Sequence, residues 1–202
     1  MTGPRADRRA ALVAAGLAAP VVLLTVLVSL RFSPLTSFDA DVVRSWQGSV
    51  VDTSWHRVFL VIAAISQPID ILAVSAVAAV VLAIRGRTRL AVWIVVIGVS
   101  QRSAYGVMKL LVHRQRPDVP DQIAGFSFPS GHATAIAAGM GILIVVTLRG
   151  VRPKRLRRSL VALWLSLVVL VGADRVALGA HNPSDVVAGW FLGAFVVFAA
   201  SA

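Results

Sequence analysis

Three short stretches of the chain hold side chains able to do chemistry together. The first runs Lys109-Leu-Leu-Val-His-Arg-Gln-Arg116-Pro117, the second Phe128-Pro129-Ser130-Gly131-His132, and the third holds Asp174, Arg175, His181 and Asp185. Lys109, Arg116 and Arg175 are cations from separate places that together suit a dianionic group such as phosphate. Ser130 is a natural helix N-cap, and Gly131 lets the backbone approach a ligand closely. A helix beginning there offers free N–H groups and a positive dipole end to an anion, with His132 in its first turn. Asn182-Pro183 predicts a second helix start, with Asn182 as cap. Asp185 then lies in the first turn and reaches back to one nitrogen of His181, fixing the tautomer and leaving the other nitrogen to attack. One histidine as nucleophile and another as acid suffice for phosphoryl transfer through a phosphohistidine. Each stretch also has a plainer reading. Lys109 and Arg116 serve as snorkelling anchors, Pro129-Ser130-Gly131 as a turn and cap, and His181 with Asp185 as a structural hydrogen bond. The conjunction of all three, each at a helix end on one side, favours the chemical reading.

The elements that position these residues are read from apolarity. The chain has 202 residues, 57% hydrophobic and 14% charged, with no cysteine and no glutamate. A soluble globule of this size would be unable to hide that much apolar surface, and without cysteine there is no disulfide, thiolate site or thiol nucleophile. Ala10 to Leu30 is 21 residues without a charge, about 31 Å as a helix, enough to cross a bilayer core. Ile71–Ile84, Leu90–Gln101 (continuing past Arg102 to Lys109), Ala133–Leu148, Ser159–Ala173 and Val186–Ala202 follow. The expected fold is all-α: a polytopic bundle of six transmembrane helices, one domain over residues 1–202. The first stretch is too long for a signal-peptide core and lacks a small-x-small cleavage site, so it is read as a retained span. Trp55 and His56 are placed in an interfacial segment before the second span.

Charge placement sets the expected topology. Arg5, Arg8, Arg9, Arg85, Arg87, Arg89, Arg149, Arg152, Lys154, Arg155, Arg157 and Arg158 fall on one side of alternating spans, with Asp7 the lone acid among them. The remaining eight basic residues and eight aspartates balance on the other side, so the whole net charge of +11 sits on the first. The positive-inside rule makes that side, with both termini, cytoplasmic, and puts the three stretches on the extracytoplasmic face. The basic excess therefore reads as a topology signal and a contact for anionic lipid headgroups, not as a nucleic-acid surface.

These stretches resemble the signature motifs of the type 2 phosphatidic acid phosphatase family, integral membrane lipid phosphate phosphatases that share a helical core with vanadium haloperoxidases. Lys-x6-Arg-Pro is matched by Lys109, Arg116 and Pro117, Pro-Ser-Gly-His by Pro129 to His132, and Arg-x5-His-x3-Asp by Arg175, His181 and Asp185. The resemblance implies that His181 attacks phosphorus, Asp185 orients it and His132 protonates the leaving oxygen. It implies that Lys109, Arg116, Arg175, Ser130 and Gly131 hold the phosphoryl oxygens. It implies no metal and no cofactor, since the cations take the metal's place. The family's usual small residue before the third-motif arginine is Asp174 here. An acid beside Arg175 would weaken its grip on phosphate; the alternative, favoured here, is that Asp174 points away and pairs with Arg102 on the third span. His113 and Arg114 are read as solvated loop residues.

The implied partners are membrane lipids, and the implied substrate is a lipid phosphate: phosphatidic acid, phosphatidylglycerol phosphate or a polyprenyl pyrophosphate of the undecaprenyl kind. The alternative is a phosphotransferase of the same fold with a lipid or sugar acceptor. A transporter would place ionisable or helix-breaking residues near mid-membrane, where only Arg102 and Pro20 qualify. The Ala-, Val- and Arg-rich composition suits a GC-rich bacterium. The sequence itself assigns no oligomeric state.

Overall fold

The protein is described by a computed structural model over residues 4–119 and 124–201. Met1 to Gly3 and the expected end of the last span, Ala202, lie outside the described residues. The described residues form eight helices: α1 (Pro4–Ser29), α2 (Ser33–Val50), α3 (Ser54–Ile65), α4 (Pro68–Ile84), α5 (Thr88–Val112), α6 (Gly131–Gly150), α7 (Lys154–Ala177) and α8 (Pro183–Ala199). The expected apolar stretches fall within α1, α4, α5, α6, α7 and α8.

Four of these helices are long and apolar enough to cross a membrane: Ala11–Ser29 of α1, α5, α6 and α7. The bent pair α3 and α4, meeting at 41°, makes a fifth if it counts as one span. This corrects the expectation of six spans by length alone. The α8 helix is apolar but shorter, at 17 residues, because Asn182 caps it and Pro183 opens it late. The other difference is α2 and α3, in a stretch of which the sequence places only Trp55 and His56, in an interfacial segment.

The connection between α5 and α6 and the turns at α7–α8 lie at one end of the bundle; the exposed arginines at 85, 87, 89, 149, 152, 155 and 158 lie at the other. Large apolar side chains face outward along the helices, Ile84 at 81% exposure and Val74 at 70%, as a lipid-facing surface requires.

The tightest crossing joins α6 to α8 and is built from small residues. A Cβ on Gly189 would stand 2.8 Å from the Ser130 carbonyl oxygen and 2.9 Å from the Ala133 Cβ. One on Gly193 would stand 2.6 Å from the Thr134 carbonyl oxygen and 2.8 Å from the Ala137 Cβ. The spacing Gly189-x-x-x-Gly193 thus lets two backbones touch, the small-x-x-x-small device of membrane helices. Asp185 lies one turn above Gly189 on the same face. The crossing that packs the bundle therefore also sets the distance between the second and third motifs. Beneath it, Ile94, Ile97, Ala138, Ile142, Val196 and Val197 close the core between α5, α6 and α8.

Candidate active site

Ser130 caps α6, its hydroxyl accepting from the Ala133 N–H at 3.4 Å. Its own N–H donates to the Asp185 carbonyl at 3.0 Å, which fastens the second motif to the third. Gly131 leaves room for the Tyr105 ring, which a Cβ would meet at 3.3 Å. His132 follows with a buried Nε2 that has no hydrogen-bond partner. Arg175, His181 and Arg116 all lie close enough to influence its charge.

The third motif turns at the end of α7. The Ala180 N–H donates to the Arg175 carbonyl at 3.0 Å, and the His181 N–H to the same oxygen at 3.2 Å. Gly179 makes the turn with a φ of +63°, where a Cβ would also stand 2.5 Å from the Gln47 side-chain nitrogen; this is the glycine-ended helix stop. His181 is thereby aimed inward, 3% exposed. Its Nε2 is 3.4 Å from Arg116 Nη1 and its Nδ1 is 3.8 Å from Asp185 Oδ2, beyond hydrogen-bond length. If Arg116 donates to Nε2, the ring proton sits on Nδ1, facing the carboxylate. Burial pushes the His181 imidazole down to about 4; Asp185 opposes this, while Arg116 and Lys109 push the same way. The His181 imidazole is thus neutral near pH 7.

Asp185 completes the reciprocal cap at the start of α8, accepting from the Asn182 N–H through Oδ2 at 2.8 Å. Its Oδ1 accepts from Arg114 Nη1 at 2.6 Å. Arg116 donates to the Ala180 carbonyl at 2.6 Å and the Gly125 carbonyl at 3.2 Å. Burial lowers its pKa, Asp185 opposing and Arg175 reinforcing the shift. Lys109 Nζ donates to the Phe126 carbonyl. All eight residues singled out from the sequence thus lie at one end of the bundle. Lys109, Arg116, Arg175 and His132 all lie within electrostatic range of His181 or of one another.

Two expectations need correction. Asp174 does not pair with Arg102. Its Oδ2 accepts from Arg175 Nε at 2.7 Å and also from Arg175 Nη2. Arg175 is buried and needs a counter-charge, whereas Arg102 is exposed and reaches the Tyr105 hydroxyl, lying 5.0 Å from that ring's centroid. Nor is Arg114 a solvated loop residue. It bridges Asp185 and Asp39, the latter at 2.7 Å from Nη2, and also reaches the Ser184 hydroxyl at 2.7 Å. Burial alone would lower its pKa; Asp185 and Asp39 outweigh that and raise it. His113 is exposed at the α5 end, its ring edge-on to Phe126.

Sequence reasoning passed over Asp39 and Ser184. The available signal was the Ser33-Pro34 helix start followed by Phe38, Val42, Val43 and Trp46 at helical spacing. That pattern predicts an amphipathic α2, on which Asp39 stands as an acid among apolar neighbours.

The structure is thus an all-helical bundle, with helices long and apolar enough to cross a membrane, that gathers three cations, two histidines and an aspartate at one end. Residues 88–202 match the PAP2 superfamily, and the chain belongs to it. It is 38% identical over 96 residues to a decaprenylphosphoryl-5-phosphoribose phosphatase of Mycobacterium tuberculosis, covering 45% of this chain and 48% of that one. It is 37% identical over 78 residues to an undecaprenyl-diphosphatase of Sulfolobus acidocaldarius, covering 36% of this chain and 31% of that one. Over 95 residues it is 32% identical to phosphatidylglycerophosphatase B of Bacillus subtilis, covering 46% and 47%. The matched stretches span about half or less of these relatives. The fold resembles the crystal structure of a transmembrane PAP2-type phosphatidylglycerolphosphate phosphatase from Bacillus subtilis. The TM-score is 0.76, with 21% identity, over 93% of this chain and 94% of that one.

Proposed function

We propose that the protein is a lipid phosphatase that hydrolyses a phosphomonoester or pyrophosphate of a membrane lipid through a phosphohistidine. The observation that carries this reading is the posture of His181, with Nε2 beside Arg116 and Nδ1 towards Asp185. The unprotonated nitrogen thus faces Arg116, one of the cations that would hold a phosphoryl group, and exchanges that contact for phosphorus when substrate enters. Nε2 attacks phosphorus in line, and the bond to the leaving oxygen breaks as His132 gives that oxygen a proton. Asp185 stabilises the positive phosphoimidazole. Water then attacks phosphorus, His132 takes its proton, and His181 is released with inorganic phosphate. Lys109, Arg116 and Arg175, with the Ser130 hydroxyl and the Gly131 N–H, hold the phosphoryl oxygens and balance their shifting charge.

The reaction needs no metal on this reading. The cations supply the charge, and among the described residues no three His, Asp or Glu side chains gather as a metal cage. Residues 1–202 act as one domain, with α1, α5, α6, α7 and the bent α3–α4 pair as its spans and the shorter α8 running back alongside α6. The basic connections and both termini are cytoplasmic, by the positive-inside rule, and the site opens at the extracytoplasmic headgroup level. The substrate is a lipid whose phosphate leads it between the helices. The relatives act, by name, on polyprenyl-linked and glycerolipid phosphates, and these are the classes to test.

The test is phosphate release in detergent, with a chelator and no added acceptor, from phosphatidic acid, phosphatidylglycerol phosphate and undecaprenyl pyrophosphate. His181→Ala is expected to abolish release, by roughly a thousand-fold or more. Equal release by both proteins removes His181 from this role, and release that depends on an added acceptor points instead to a phosphotransferase.

A further inference from the structure

The Asp185 carboxylate is held from behind by a buried charge network that the reaction scheme does not use. Arg114 Nη1 donates to Asp185 Oδ1 at 2.6 Å, and Arg114 Nη2 donates to Asp39 Oδ2 at 2.7 Å. Asp39 in turn accepts from the Ser184 N–H at 3.0 Å through Oδ1 and from the Ser184 hydroxyl through Oδ2. Asp39, Ser184 and Asp185 are all buried. Asp39 belongs to α2, outside the stretch that matches the superfamily.

A buried carboxylate is costly unless it is paired, so its presence calls for a reason. A guanidinium bound to Asp185 alone would cancel its charge and leave little field for the imidazole. Two carboxylates on one guanidinium leave a surplus of one negative charge. The charged and titratable groups within electrostatic range of His181 are Asp185 on α8, Arg116 in the loop after α5, Lys109 on α5 and His132 on α6; Arg175 on α7 acts on His132 and Arg116, and its carbonyl accepts from the His181 N–H at 3.2 Å. Asp174, the other acid nearby, is engaged by Arg175. The surplus at Asp185 is therefore the negative charge that can offset a cationic imidazole.

We propose that Asp39 and Arg114 are positioning residues which set the orientation and effective charge of Asp185, and through it the basicity of His181. The inference rests on the reading of His181 as nucleophile. Removing the Asp39 charge lets Arg114 quench Asp185 and makes His181 harder to protonate. Removing the Arg114 charge does the reverse.

The experiment follows kcat/KM against pH for phosphatidic acid hydrolysis in detergent, with each variant divided by wild type so that the substrate's own ionisation cancels. Asp39→Asn is expected to lose about ten-fold in activity, the usual cost of disturbing groups behind an active-site ligand. Its acidic limb moves to lower pH. Arg114→Gln moves the limb to higher pH, and the double variant returns it towards wild type. Asp39→Glu keeps the wild-type limb. If Asp39→Asn does not fold, the double variant compared with Arg114→Gln reads the same charge. Limbs that stay in place, or that move in one direction for both single variants, overturn the proposal. Activity that survives His181→Ala overturns the nucleophile reading instead, so the two failures are distinguishable.

Discussion

Helix α4 and the site-bearing ends of α6, α7 and α8 are built on opposite principles. Along α4, apolar residues dominate, yet Ala79 is its one buried residue, and Val74, Val77 and Val80 point outward. Along its first three turns α8 buries Ser184, Asp185, Ala188, Gly189 and Gly193, and the end of α7 buries Asp174 and Arg175. In a membrane the solvent is itself apolar, so large hydrophobic side chains gain little by turning inward. What gains is close backbone packing through small residues and the mutual satisfaction of polar groups. Apolarity alone therefore does not separate the lipid face of α4 from the core that Ile94, Ile97, Ile142 and Val197 close, whereas small and charged residues mark the packed end that carries the site.

This contrast can be broken or sharpened by substitution. The largest effect is expected from Gly193→Val, which drives a side chain into the Thr134 carbonyl and forces α6 and α8 apart. The loss should exceed about 3 kcal/mol, the upper tail of overpacking costs. It is read as a lowered unfolding midpoint in detergent with concurrent loss of phosphate release; an unchanged midpoint would deny the crossing its role. Asp174→Ser should cost on the order of 1–3 kcal/mol by leaving the buried Arg175 guanidinium without its carboxylate. Millimolar inorganic phosphate should restore more of the midpoint in this variant than in wild type, because the anion takes the vacated face. Equal restoration in both proteins would mean that Asp174 does not compete for that face. The smallest effect is expected from Val77→Ala on α4, within about 0.5 kcal/mol, and a drop of several degrees would show that α4 packs against more than lipid.

The same contrast explains what was legible in the sequence. Apolar runs marked α1, α4, α5, α6, α7 and α8 because bilayer thickness fixes their length. The Pro-Ser-Gly-His string and the Asn182-Pro183 start were legible because capping is local chemistry, and the cap geometries at Ser130 and Asn182 are those the residue types require. The partnership of Arg114 with Asp39 was not legible, since it joins residues 75 positions apart through an α2 whose amphipathic pattern is short and broken by Asp39 itself. Asp174 failed for a different reason. Helical spacing offered Arg102 as a partner, but burial decided the matter: Arg175 is buried beside Asp174, and Arg102 is exposed.

Gly189 and Gly193 seat α8 against α6 over a full turn, and one turn above them the Asp185 carbonyl accepts from the Ser130 N–H at 3.0 Å. The two helix starts are therefore riveted at the site as well as below it. Helices tilt to match the thickness of the surrounding bilayer, and a tilt of α8 carries Ser130 along with Asp185 rather than past it. The spacing between the second and third motifs is thereby insulated from the membrane that surrounds it.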